Sequence, residues 1–169
     1  MRRALLFALL LSPALFAAED WGSLQFLIGE WSGQGAGEPG AGTGSFSFLP
    51  DLQGGILVRK SFAEYPASGG KPAYRHDDLL IVYREGPARQ LRAIYFDNEG
   101  HTIRYSVEAS ANRAVFTSDS AQSAPRYRMT YRAMAPDELA FTFEMAAPGQ
   151  DLAPYINATL RRRKPGAAR

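Results

Sequence analysis

The sequence predicts an all-β protein: an antiparallel meander of about 8–10 strands closed into a barrel, with a short N-terminal helical turn plugging one end. Three observations predict it. From Phe46 onward, short stretches alternate apolar and polar residues, the period-two pattern of half-buried strands. Turn residues separate these stretches at regular short intervals, and no helix-period segment intervenes, so successive strands pair as neighbours without crossover helices. A meander of this length removes its exposed edges by closing on itself.

The chain begins Met1-Arg2-Arg3 and continues almost without polar residues to Phe16. A charged start followed by an apolar run too short to span a bilayer has the form of a secretory leader. The organisation expected is a signal peptide at 1–18, a barrel domain at 19–163 and a basic disordered tail at 164–169, in a periplasmic or extracellular protein. With no cysteine among 169 residues there is no disulfide framework, so stability must come from a packed core. Beyond Arg2 and Arg3 the chain holds 17 basic and 17 acidic residues, and five of the basic ones fall between Arg161 and Arg169. That distribution lacks the basic spread and aromatic interleaving of a nucleic-acid binder. No later apolar run is long enough for stable membrane insertion, and oligomeric state is not written in the sequence.

Trp21, Leu24, Phe26, Leu27 and Ile28 place an apolar face at helical spacing, too short to hold without packing on a barrel end. Gly29 stops the turn. The run Gly33, Gly35, Gly37, Gly40, Gly42, Gly44 is either a flexible connection or a sharply bent strand pair, and it lacks the Gly-Lys-Ser/Thr ending of a phosphate loop. Strands are then expected around Phe46 and Phe48, at Ile56–Ala63, Leu79–Tyr83, Leu91–Asp97, His101–Ala109, Ala114–Ser118, Arg126–Met134, Leu139–Met145 and Tyr155–Arg163. Asp97-Asn98-Glu99-Gly100 is a hairpin turn, because the ligand spacing of a calcium loop does not continue past Gly100.

The triplet Gly29-Glu30-Trp31, opening the first strand after a helical turn, resembles the calycin superfamily of lipocalins, fatty-acid-binding proteins and nitrobindin-like barrels. The wider string Leu27 to Gly35 is most similar to small secreted bacterial members of uncharacterised function. The resemblance implies that Trp31 packs at the closed end under an arginine of the last strand, with Arg161, Arg162 and Arg163 available. Gly29, Trp31 and Arg161 are therefore expected as a structural plug. In nitrobindin-like barrels haem hangs from a late histidine, and this chain has none after His101. No cofactor is expected on that ground.

The two histidines are His76 and His101. His76 and Asp78 share a strand face and form the local acid-base pair available to a barrel-mouth enzyme. No metal site is expected, because adjacent residues such as His76 and Asp77 point to opposite faces. His101 follows the turn glycine and decorates the mouth. Six strand tyrosines and an inward arginine such as Arg59, Arg104 or Arg128 would suit an amphipathic ligand. Side-chain parity turns Arg104, Arg128 and Arg132 outward and favours Tyr105, Tyr127, Met129, Tyr131, Phe141 and Phe143 as the ligand-binding wall. The reading is an exported lipocalin-like protein holding a small apolar or amphipathic molecule, with an enzyme at the mouth, or a structural protein with a plugged barrel, as the alternatives.

Overall fold

Ten strands follow one another round a closed antiparallel barrel in the computed structural model, which describes residues 21–164. They are β1 (Gly29–Gly37), β2 (Gly42–Asp51), β3 (Ile56–Tyr65), β4 (Tyr74–Glu85), β5 (Gln90–Asp97), β6 (Thr102–Ser110), β7 (Arg113–Ser118), β8 (Arg126–Ala135), β9 (Glu138–Ala146) and β10 (Ala153–Arg162). Pairing of β1 with β10 closes the sheet, so no strand keeps a free edge. The expected signal peptide and residues 165–169 of the expected tail lie outside the described residues. No helix among the described residues is long and apolar enough to cross a membrane.

β4 is longer than its sequence pattern suggests. β4 starts at Tyr74 rather than Leu79 because it pairs with β3 over most of its length, from Tyr65 opposite Tyr74 to Leu57 opposite Val82. Its first half carries His76, Asp77 and Asp78, polar residues that mask the strand alternation yet sit inside the ladder.

The closed end is built by a 3-10 turn, Gly22–Leu27, whose Leu24 and Leu27 are buried with Trp21 and Trp31 in the core. The Trp31 indole N–H donates to the Leu27 carbonyl at 2.9 Å, tying the first strand to the plug. The arginine over the Trp31 ring is Arg162, with its guanidinium carbon 4.2 Å from the ring centroid, and not Arg161. Register decides this: Arg162 lies directly opposite Trp31 in the β1–β10 ladder, while Arg161 falls on the outer face and pairs with Glu138. Arg162 also donates to the carbonyls of Ile28 (2.6 Å) and Phe26 (3.2 Å), at the end of the short helix where carbonyls lack helical partners. Gly29 completes the joint. Its φ is +131°, and a Cβ there would lie 2.5 Å from an Arg162 nitrogen, so glycine is favoured on both counts.

With Trp31 turned inward, alternation makes Gly33, Gly35 and Gly37 the inward residues of β1, and Phe46 and Phe48 do the same for Gly42 and Gly44 on β2. Of the two readings of the glycine run, the bent strand pair is the one observed. A Cβ at Gly33 would stand 2.1 Å from the Thr159 carbonyl oxygen, and one at Gly44 2.5 Å from that of Phe62. The bend and the missing side chains leave the lumen open toward the end opposite Trp31.

Truncating Trp31 to alanine removes the centre of the plug and should cost about 3–5 kcal/mol. Arg162→Ala, which removes the ring contact and two carbonyl bonds, should cost about 1–3 kcal/mol. Urea midpoints with unchanged m-values measure both, and a Trp31→Ala protein of wild-type stability would show that the plug does not carry the closed end.

Candidate functional site

A cavity of about 300 Å³ runs from an aromatic floor to the loops opposite the plug. That volume is at the small end of the range for small-molecule sites, roughly 300–1,000 Å³. Phe46, Met129 and Tyr131 form its floor above Trp31, and Tyr127, Phe141, Phe143 and Met145 form the β8–β9 wall. Tyr105, Tyr127, Met129, Tyr131, Phe141 and Phe143 all line this space. Edge-on contacts of Tyr131 with Phe46, Phe48 and Phe116 fix the floor, and Tyr127 stacks on Phe143 with ring centroids 6.1 Å apart.

The opposite wall, from β3 to β6, is polar. Arg59 points inward and is 4% exposed, while Arg104 faces solvent and Arg128 pairs with Glu144 at 2.6 Å. A buried guanidinium needs a counter-charge, and Asp78, 7% exposed on the adjacent strand, supplies it through one Arg59 nitrogen; another donates to the Tyr131 hydroxyl. Burial alone pushes the Arg59 pKa down, but the charge of Asp78 and the hydrogen bond to its carboxylate outweigh burial, and the group is held above its ordinary value. Burial pushes the hydroxyls of Tyr95, Tyr105 and Tyr131 up, so they remain protonated in neutral solution.

From Asp78 the polar strip continues to the mouth. His76 Nε2 is 3.9 Å from Asp78 Oδ2, outside hydrogen-bond range, so the expected acid-base pair is in place only as a loose ion-pair contact. The imidazole is instead bonded to the Tyr95 hydroxyl through Nε2 (2.9 Å) and to Glu99 through Nδ1 (2.9 Å). Asp78 is committed to Arg59. The Tyr95 hydroxyl in turn donates to Asp97 at 3.3 Å, and His101 Nδ1 lies 2.8 Å from the same carboxylate.

The hairpin turn shapes this cluster. Asp97 Oδ1 accepts from the backbone N–H groups of Glu99 (3.0 Å) and His101 (2.9 Å), and Gly100 takes the positive φ of +91° that the turn requires. Asn98 pins the turn to β4, accepting from the Asp77 N–H and donating to the Arg75 carbonyl, both at 3.1 Å. Asp97 titrates below its ordinary value: burial pushes it up, but the bonds from the His101 and Glu99 N–H groups and from the His101 ring outweigh burial.

The sequence pattern placed His76, Asp78 and His101 at the mouth but missed Asp97, Tyr95 and Glu99 as their partners. On β5 both alternate sets are of mixed polarity, so nothing in that strand alone says that Ala93, Tyr95 and Asp97 face inward. The neighbouring strand does carry the signal. Ile103 and Tyr105 are inward on β6 and lie opposite Tyr95 and Ala93 in the ladder, and directly paired residues share a face.

Residues 20–162 match the family model described as the THAP4-like, heme-binding β-barrel domain. The chain belongs to this family. Among solved structures it resembles Rv2717c from M. tuberculosis, at 16% identity and a TM-score of 0.59 over 84% of this chain and 96% of that one. A de novo designed fluorescence-activating β-barrel is 12% identical with a TM-score of 0.44, covering 83% of this chain and 97% of the design. No curated protein matches the chain.

The family corrects the expectation that no cofactor is involved and that haem is doubtful, which rested on the lack of a late histidine. Imidazoles reach this mouth from another side, His76 from β4 and His101 from the β5–β6 turn. The donors suit haem. His101 has its Nδ1 on a buried carboxylate, the arrangement that would orient an iron-ligating imidazole, and its Nε2 has no hydrogen-bond partner among the described residues. His76 has both nitrogens engaged.

Two outcomes follow from this wiring. Arg59→Leu strands a buried Asp78 and should destabilise by about 3–5 kcal/mol, whereas Arg59→Leu with Asp78→Leu should recover most of the loss. Chemical denaturation of the three proteins tests it; equal losses in the single and double variants would exclude a buried pair. Asp97 stabilises the fold above about pH 4, its unfolded value, and this contribution is lost as pH falls through the lower folded value. Asp97→Asn should therefore flatten the acid limb of the stability curve, read as urea midpoints between about pH 3 and pH 7.

Proposed function

We propose that this barrel binds a small, largely apolar molecule at its open end, and that haem is the ligand its family membership and donor groups favour. The observation that carries the reading is the two-sided mouth: an aromatic wall of Tyr127, Phe141 and Phe143 faces a strip of imidazoles and carboxylates. Apolar faces take up the surface of a flat ligand, and a few placed polar groups fix its orientation. His101 would hold the iron through Nε2 while Asp97 orients the ring and raises its basicity. When bound, haem supplies an iron centre for small-ligand binding or redox chemistry. The chain's own residues bind and orient it and, at the aromatic floor, exclude water.

The leader Met1-Arg2-Arg3 and the apolar run behind it support export of the protein, and with it binding in the periplasm or outside the cell.

Titration of the purified full chain with haem, followed by its Soret absorption, should saturate at one equivalent. His101→Ala should lose the iron-coordinated spectrum yet retain uptake of a metal-free porphyrin. Absence of saturable uptake of both haem and fluorescent apolar probes would overturn the reading.

A further inference from the structure

We infer that two copies of this chain associate through the outer face of β2–β5, around a row formed by Leu49, Val58, Ile81 and Ile94.

The lumen takes one alternate set of residues from each strand, and the other set faces out, where water favours polar side chains. The outward residues of β6, β8 and β10 follow that rule, with Arg104 and Glu108, Arg128 and Arg132, and Thr159 and Arg161. Those of β2–β5 break it. Leu49 pairs with Val58, Val58 with Ile81 and Ile81 with Ile94, so four aliphatic side chains line up across four strands on the outside of the barrel. Two residues along the strands toward the mouth, Leu79 pairs with Phe96; two residues toward the plug stand Ile56 and Tyr83. Leu49 is 49% exposed and Phe96 37%, and the other six are half-buried.

Four strands about 4.8 Å apart and three rows about 7 Å apart give this face roughly 400 Å². That is the apolar core of an interface which, with a polar rim of equal area, reaches the about 800 Å² per partner of a standard complex.

Charge selects the occupant. Lys60 lies on the mouth side of the row, next to Leu79, and Asp51 lies on the plug side, next to Ile56; both are exposed. Asp51 is held in place by the N–H of Leu52, which donates to its carboxylate at 2.6 Å. Among the described residues neither Lys60 nor Asp51 has an ion-pair partner. A two-fold axis lying along the row turns one copy over onto the other and exchanges the two sides. Leu79 of each copy then covers Tyr83 of the other, and each Lys60 comes within about one strand spacing, ~4.8 Å, of the other copy's Asp51. The contact forms twice. A face that carries an apolar row with opposite charges on its two sides is complementary to itself, which suits a second copy of the chain.

The association is independent of the ligand. The face backs the polar wall that carries Arg59 and Asp78 and leaves the mouth free.

Sedimentation equilibrium of the purified full chain, from micromolar to hundreds of micromolar, should show a monomer–dimer equilibrium. Ile81→Glu, in the centre of the row, should weaken dimerisation by at least about tenfold with the barrel's circular dichroism unchanged. Lys60→Glu, which sets like charges together twice, should do the same. Because Lys60 is exposed, this variant reports even where Ile81→Glu fails to fold. Combining Lys60→Glu with Asp51→Lys should restore association. A monomer at every concentration, or wild-type association in Lys60→Glu, overturns the proposal; association driven by the apolar run before Phe16 would survive in both single variants and overturns it equally.

Discussion

The stacking of Arg162 on Trp31 determines which end of this barrel is available. A closed sheet has two ends, and closure alone does not decide which of them is filled. Here the last strand delivers a guanidinium to the first strand's indole, and the same cation holds the carbonyls at the end of the 3-10 turn. First strand, last strand and helix are thereby joined at one point. Because Trp31 occupies an inward position, the alternation of β1 sends glycines into the lumen for the rest of the strand. The plug at one end and the space at the other have the same cause.

Against that space stands an uncommon expense, a guanidinium and a carboxylate buried within a small barrel. Two charges taken out of water rarely improve stability over apolar residues of the same size. The pair does, however, fix a direction. Arg59 reaches Tyr131 on the floor with one nitrogen and Asp78 with another, so the polar strip begins at a defined point and runs by way of His76 and Tyr95 to the turn at Asp97. Met129 and Tyr131 belong to the aromatic side and Asp78 to the polar side, and Arg59 spans them.

Much of the fold was legible because alternation and turn residues are local properties. The hairpin at Asp97 to Gly100, the parity of β6 and β8, and the plug all followed from short windows of sequence. What was missed depended on register between strands. Arg161 and Arg162 differ by one position, and only pairing with Trp31 chooses between them. On β3, Leu57, Arg59, Ser61 and Ala63 face inward, a set with no apolar character beyond its ends, so the pattern could not mark it as lumenal. On β4 the shared strand face of His76 and Asp78 was legible, but the polar residues there left the strand's start at Tyr74 unmarked. Lumen residues that serve a site violate the apolar-inside rule by which a strand is recognised. The absence of a late histidine misled more simply: it treated one strand as the sole source of an imidazole, when any strand or turn reaching the mouth can supply one.

That asymmetry bears on how a ligand would be held. Strands β8 and β9 present Tyr127, Met129, Phe141 and Phe143, which contribute area and shape but little direction. Strands β4 and β5 and the turn into β6 present His76, Asp97 and His101, which contribute direction but, at the rim, little affinity of their own until water is excluded. A ligand lying flat on the first wall would remove that water and strengthen every polar contact on the second, since electrostatic interactions grow as the local dielectric falls. Binding on the apolar side and recognition on the polar side are then coupled through solvent. The two walls face one another across a cavity of about 300 Å³, close enough for one ligand to touch both.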